Sequence, residues 1–348
     1  MDKKIGLFWL RNDFRTSKNE GLIEATKNHD EVVVFYLYKK NNFLEQEAQK
    51  WWLNKSLLNF QKDLSNLNIN LQILQIESYK IFFDKLVRNK DFSIYWNKVY
   101  EPDYLKFDNY LKKNLNDKKI NYKICKGNTL NEIDEIKKAD GTPFRVFTPF
   151  WRYAEKYFTE KIPPKEKIIK KCKLKKNYFK KCIKAESILP NKNWFSNFEK
   201  IWQPSEKGAS KALSVFIKNK IFNYADGRNF PNTAGTSKLS PFIKFGQIHV
   251  ETIWNECKKN KKNLGTTKFL AEIGWREFNH SLINYFPHMT KKNYSKKFDN
   301  FPWEKNLKFL SAWKKGMTGY PIVDAGMREL YSTGWMHNRV RMIVGSFL

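Results

Sequence analysis

A doubly wound α/β domain followed by an all-helical domain is the architecture that this 348-residue sequence predicts, and three observations predict it. Short β-branched and aromatic runs alternate with amphipathic stretches over residues 1–130. Strand signals vanish from Trp202 onward, where a 3.6-residue periodicity takes over. A mass of 41.7 kDa is too large for one small domain, and 41% hydrophobic residues are enough to build more than one core.

In the first part, five segments read as buried strands: 5–10 (IGLFWL), 32–38 (VVVFYLY), 69–75 (INLQILQ), 92–99 (FSIYWNKV) and 120–126 (INYKICK). Helical spacing occupies Phe43 to Leu67, Tyr79 to Val87 and Pro102 to Leu115. In the first of these, Leu44, Ala48, Trp51, Leu58 and Leu64 recur on one side. Such alternation implies a parallel sheet covered on both faces. No GxGxxG follows the first strand and no GxxxxGK[ST] occurs anywhere, so the usual dinucleotide and P-loop sites are not expected. The switch point of a doubly wound sheet remains open to a ligand.

Residues 131–195 read as a connector. They hold the proline- and aromatic-rich 141–158 and the lysine-dense 162–184, which is first a solvated face and only second a DNA contact. Residues 196–348 form the helical domain, with periodic segments at 207–219, 249–257, 266–286 and 323–348. The sequence stops inside an apolar helical run without a cap, and the expectation is a chain cut short.

Composition narrows the function. A mean hydropathy of −0.67 and no apolar run near twenty residues exclude a membrane-spanning helix. The five apolar residues before Arg11 are too few for a secretory leader, which places the protein in the cytoplasm. Cys125, Cys172, Cys182 and Cys257 follow no metal or disulfide pattern, so no metal is expected. A net charge of +30 is either a lysine-rich coding bias or the mark of a polyanion partner such as nucleic acid. Aromatics at 16% serve stacking surfaces and buried cores equally well.

Three places in the helical part concentrate unusual residues. The first runs from Tyr224 and Arg228 to Gly235-Thr236-Ser237-Lys238-Leu239-Ser240-Pro241, where hydroxyls and backbone amides precede a helix. They suit a phosphate, although plain N-capping is the stronger reading of this motif alone. The second is Glu272, Trp275, Arg276 and Asn279, spaced to share one helical face; core packing explains the tryptophan but not its polar neighbours. The third is Asn338, Arg339, Arg341 and Met342, with guanidinium, amide and thioether groups together.

These segments resemble the DNA photolyase/cryptochrome family, most closely its class I cyclobutane pyrimidine dimer photolyases. The matching strings are GTSKLSP (235–241), GWREF (274–278) and GYPIVDAGMRELYSTGWMHNRVRM (319–342), with FWLRNDFR near the start and TPFWR in the connector. The resemblance implies an antenna domain, a long connector and an FAD-binding helical domain. It also implies light-driven repair of dimers in DNA by electron transfer from excited reduced FAD to a flipped-out dimer.

By resemblance, Tyr224, Thr236, Ser237, Lys238, Leu239 and Ser240 wrap the FAD phosphates and ribityl chain, Phe269 lies beside the cofactor and Asn338 faces the flavin. Glu272 bonds the dimer, Trp275 stacks on it and Met342 packs beneath. Asn279 lies on the same substrate-facing side, and Arg228, Arg276, Arg339 and Arg341 grip phosphates. Trp303 matches the outer member of an electron-relay chain. Asn338, Glu272 and Met342 all lean toward the dimer-repair branch.

Two departures stand out. The family's folate-holding Asn-Glu pair is replaced at Tyr100-Glu101-Pro102-Asp103-Tyr104, so the antenna chromophore, folate or deazaflavin, is left open. The family also continues for roughly another quarter of its length, which leaves half the FAD cavity absent from this sequence. The expected protein is a monomer acting on DNA. The rival readings are a blue-light photosensor of the cryptochrome type and a non-catalytic DNA-binding fragment.

Overall fold

The structure is a computed structural model describing residues 5–39, 47–160, 169–174, 178–190, 194–259 and 263–348. Five parallel strands form one sheet in the order β3-β2-β1-β4-β5: β1 Ile5–Leu10, β2 Val32–Lys39, β3 Asn70–Ile76, β4 Phe92–Asn97 and β5 Tyr122–Cys125. Between them run α1 Glu20–Asn28, α2 Glu47–Ser65, α3 Tyr79–Leu86 and α4 Pro102–Asp117. β1 and β4 are buried along their whole length and β2 in all but its last residue, as parallel strands covered on two faces must be. One face packs Phe8, Leu10, Val34, Leu57 and Phe60, and the other packs Leu7, Trp9, Phe35, Phe83 and Leu111.

The strands fall where periodicity placed them, with ends shifted by one to two residues. β4 stops at Asn97 because that side chain turns inward to Asp13, Asn19 and the Gly21 amide. α1 was not foreseen. It is nine residues long and nucleated by Asn19, whose side chain accepts from the Leu22 amide. The expected start of α2 at Phe43, with Leu44, lies outside the described residues, as does much of the lysine-dense 162–184.

The helical part comprises α5 Phe147–Glu160, α6 Ser196–Ile201, α7 Glu206–Asn219, α8 Tyr224–Gly227, α9 Ser240–Lys244, α10 Val250–Lys258, α11 Leu264–Tyr285, α12 Leu307–Lys315, α13 Pro321–Thr333 and α14 Asn338–Phe347. α5 arises inside the stretch read as connector. Pro149 is tolerated there because it sits in the first turn, where its missing N–H leaves no bond unmade. Phe150, Ala154 and Phe158 of α5 share a core with Phe269, Ile273 and Phe278 of α11.

The periodic run 323–348 is two helices, not one. Gly334, at φ +71°, closes α13 in the left-handed conformation, and His337 caps α14 by accepting from the Arg339 amide at 3.2 Å.

The two parts are locked together. Arg15 donates to Gly246 O at 2.8 Å and the Phe14 amide to Phe245 O at 3.2 Å. Trp52 of α2 donates to Gln247, which donates to Ser56. Gly246 has φ +63°, and a Cβ there would lie 1.9 Å from Asn12 O, so only glycine fits the junction. No described helix is long and apolar enough to cross a membrane.

A cleft between the strand ends and the long helix

α11 organises the candidate site. Asn263 accepts from the Thr266 amide at 2.9 Å and starts a helix of 22 residues. Its inner side buries Leu270 and Phe278, and Gly274 lets the Trp151 ring of α5 approach where a Cβ would lie 2.2 Å away. The other side turns Glu272, Trp275, Arg276 and Asn279, with the buried Phe269 and Ile273 beside them, into a cleft of about 650 Å³. A cavity of that size suits a ligand of cofactor dimensions.

Of the residues singled out in the sequence, Tyr224, Ser237, Leu239, Ser240, Phe269 and Arg341 line the same cleft. Thr236, Lys238, Arg228, Asn338, Arg339 and Met342 are not among its lining residues. Arg228 reaches it through Glu272, with Nη1 to Oε1 at 2.5 Å, and covers the Tyr224 ring at 5.5 Å. Asn338 opens α14 with its side exposed, and Met342 is exposed one turn later. Arg339 donates to Asn229 from Nε at 3.1 Å and Nη2 at 2.8 Å. Trp303 is 67% exposed and touches only the Phe301 ring among described aromatics.

The loop before α9 is not a side-chain cap. Leu239 holds the N-cap position and no side chain caps the helix, so the capping reading of Thr236, Ser237 and Ser240 gives way. The loop is instead tight and polar. Gly235 lies against Gly227, where a Cβ would meet Gly227 O at 2.4 Å. Lys238 adopts φ +53°, a left-handed conformation costing about 1–2 kcal/mol, with its ammonium 4.5 Å over the Trp335 ring. Among the described residues no protein acceptor takes the amides of Thr236, Ser237 or Lys238. A tight loop with amides that meet no protein acceptor suits an anionic ligand.

Electrostatics sharpen the picture. Burial pushes the Tyr224 hydroxyl up to about 12, so it stays protonated and can donate. Arg276 pairs with Glu277 at 2.9 Å, and Glu277 also accepts from the Leu130 amide at 2.9 Å. Burial raises the Glu277 carboxyl and Arg276 opposes the rise. The Trp275 ring is 42% exposed and stacks on Phe147, with centroids 3.7 Å apart and planes at 10°.

Sequence reasoning missed Phe147, the platform behind Trp275, and the inner cleft wall of Asn12, Lys98, Tyr100, Asn128 and His280. His280 was within reach, since it follows Arg276 by four residues on the same face. The strand-end residues carried no local signal.

The sheet's switch point, between β1 and β4, is filled by the protein itself. Arg11 pairs with Asp108 at 3.0 Å and bonds Asn97 O, with its guanidinium between Trp9 at 4.7 Å and Tyr104 at 5.4 Å. A chromophore lodged there would have to displace a buried ion pair, a costly exchange. Glu101, in the stretch that departs from the folate pattern, is held by Lys244 at 2.7 Å.

Residues 6–167 match the family model described as DNA photolyase, and residues 269–348 match the FAD binding domain of DNA photolyase. The deoxyribodipyrimidine photo-lyase of Agrobacterium fabrum is 35% identical across 98% of this chain and 72% of its own length. The chain belongs to the DNA photolyase/cryptochrome family.

The likeness extends to solved members. A bacterial class III photolyase from Agrobacterium tumefaciens superposes with a TM-score of 0.91 at 34% identity, over 100% of this chain and 73% of that one. A cryptochrome from Synechocystis sp. gives 0.84 at 25% identity, over 99% and 74%. The photolyase of highest likeness among these is a class III protein, so nothing here assigns this chain to class I. Photolyases and cryptochromes share the α/β-then-helical layout found here.

FAD is the group this family's domain binds, and the residues present fit it. The cleft offers apolar walls from Leu239, Phe269 and Ile273 for a flat ring system. At its wall lie the Tyr224 hydroxyl and Ser237, whose amide meets no protein acceptor, groups that suit a phosphate.

Proposed function

We propose that this protein repairs cyclobutane pyrimidine dimers in DNA, using light and FAD. The observation that carries the reading is the cleft face of α11, where one carboxylate, one stacking ring, one guanidinium and one amide face the same space. When bound and reduced, FAD supplies on excitation the electron that opens the cyclobutane ring.

The chain's own residues do the rest. Trp275, braced by Phe147, is a platform for an extruded base. Extrusion costs a few kcal/mol, and stacking returns about 1–3 kcal/mol per base. Glu272 accepts hydrogen bonds from the base edge, its position fixed by Arg228. Tyr224 and the amides of Thr236, Ser237 and Lys238 would hold the FAD phosphates, while Arg339 and Arg341 neutralise the DNA backbone.

The test measures binding to duplexes carrying one cyclobutane dimer, one (6-4) product or no lesion, followed by blue-light illumination of each with reduced FAD. The proposal expects tightest binding and light-dependent loss of the lesion for the cyclobutane duplex. Equal binding to all three, with FAD retained, would favour the photosensory reading instead.

A further inference from the structure

The ring of Trp275 is the exposed end of an aromatic column. Its inner face lies flat on Phe147, the first residue of α5. Phe147 stacks in turn with Trp151, one turn along the same helix, at 6.0 Å and 12°, so three rings from two helices stand nearly parallel. The column then ends against an edge. Trp254 of α10 meets Trp151 at 71° and Phe158 at 80°, and it is buried. Phe278 closes the side of Trp275, edge-on at 5.9 Å.

Two features tie this column to the platform. Rings packed only for burial prefer offset or edge-on contacts to a close face-to-face pair, and Phe150 and Phe158 pack in tilted and edge-on fashion nearby. The close pair is the one at the cleft, between Phe147 and Trp275. The neighbour of Trp275 is Gly274, which leaves open the space that the third ring fills. α11 thus gives up a side chain beside its stacking residue to admit Trp151.

We propose that Phe147 and Trp151 are positioning residues that fix the plane of the Trp275 ring, and that this fixed plane makes the cleft select cyclobutane dimers over (6-4) products. A base that stacks on Trp275 becomes the fourth ring of the column. Glu272 lies three residues earlier on the same face of α11 and meets the edge of the lesion. In a cyclobutane dimer two bonds hold the pyrimidines face to face, so one orientation serves both contacts. In a (6-4) product a single bond joins the rings and they stand across one another. With the platform held still, such a lesion gains one contact only by giving up the other. This selection rests on the repair reading of the cleft and assigns the choice of lesion within it.

The test measures affinity by fluorescence anisotropy for duplexes carrying a cyclobutane dimer, a (6-4) product or no lesion, at a temperature where circular dichroism shows every variant folded. Trp151→Leu removes the third ring. It should cut the preference for the dimer over the (6-4) product about tenfold, the size of one stacking contact, and leave binding of undamaged DNA as before. Trp151→Phe keeps a ring in the column and should retain most of the preference. Gly274→Ala combined with Trp151→Leu has room for the added methyl, so it should melt above Gly274→Ala alone while its preference stays low. An unchanged preference in Trp151→Leu, or a loss equal on all three duplexes, would overturn the proposal and leave dimer repair standing. A wild-type chain that binds dimer and undamaged duplexes alike would overturn the repair reading itself, and the selection with it.

Discussion

In the proposed reading, lesion recognition turns on the contact between Glu272 and Arg228. Their 2.5 Å pair is partly buried, so one carboxylate oxygen is held by the guanidinium while the second is left for substrate. Hydrogen bonds to charged groups contribute about 1.5–3 kcal/mol. Glu272→Ala should therefore weaken binding of dimer-containing DNA by about 10- to 100-fold, read by fluorescence anisotropy, and leave undamaged DNA unaffected. An equal loss on both DNAs would remove Glu272 from lesion recognition. His280 carries a pH signature. Burial, then Arg276 and Lys244, hold its pKa down at about 3 against an ordinary 6.5. The folded form thus resists a proton that the unfolded chain accepts. Stability is full above pH 6.5 and falls by up to about 1.4 kcal/mol per pH unit as pH drops toward 3. His249 and His337 are shifted in the same direction, so His280→Gln should flatten the slope without abolishing it. Urea unfolding at pH 7.5, 6 and 5 decides this, and identical slopes in the two proteins would contradict it.

The packing of α5 against α11 depends on one missing methyl group. At Gly274 a Cβ would press into the Trp151 ring, so Gly274→Ala should destabilise the protein by about 1–3 kcal/mol and loosen the Phe147 platform beneath Trp275. A thermal melt measures the first effect, and an unchanged midpoint would show that the two helices can part at no cost. Under β1, Asp108→Ala would strand the buried Arg11 charge, with an expected loss of about 3–5 kcal/mol by denaturant titration. Elements with strong periodicity were legible in the sequence: β1 and α11 are each found within two residues of the expected span. α1 was not, because nine residues give too few turns for a periodic signal and the evidence reduces to one Asn cap. α5 was hidden by Pro149, which reads as a breaker until its place in the first turn is known. The break at Gly334 lay inside a run whose apolar spacing continues through both helices, so only backbone conformation separates them.

At the scale of the whole molecule, half the cleft was legible and half was not. Glu272, Trp275, Arg276 and Asn279 announced themselves because they share one helix face, whose spacing can be read along the chain. Lys98, Tyr100 and Asn128 could not, since they join the site only when the carboxyl ends of the strands dock on the helical part through Arg15 and Gly246. The net charge acts at the same scale. Binding to undamaged DNA should weaken linearly in log salt, and Arg339→Ala should lower that slope by about one if Arg339 contacts a phosphate. An unchanged slope would leave Arg339 to its bond with Asn229. The most direct measurement of the central claim is illumination of the FAD-loaded, reduced chain with an oligonucleotide bearing a single thymine cyclobutane dimer. The account predicts that blue light restores the two thymines, seen as a rise in ultraviolet absorbance, and that the rise is absent in darkness. A chain that holds FAD and binds the oligonucleotide but leaves the dimer intact under light would contradict it.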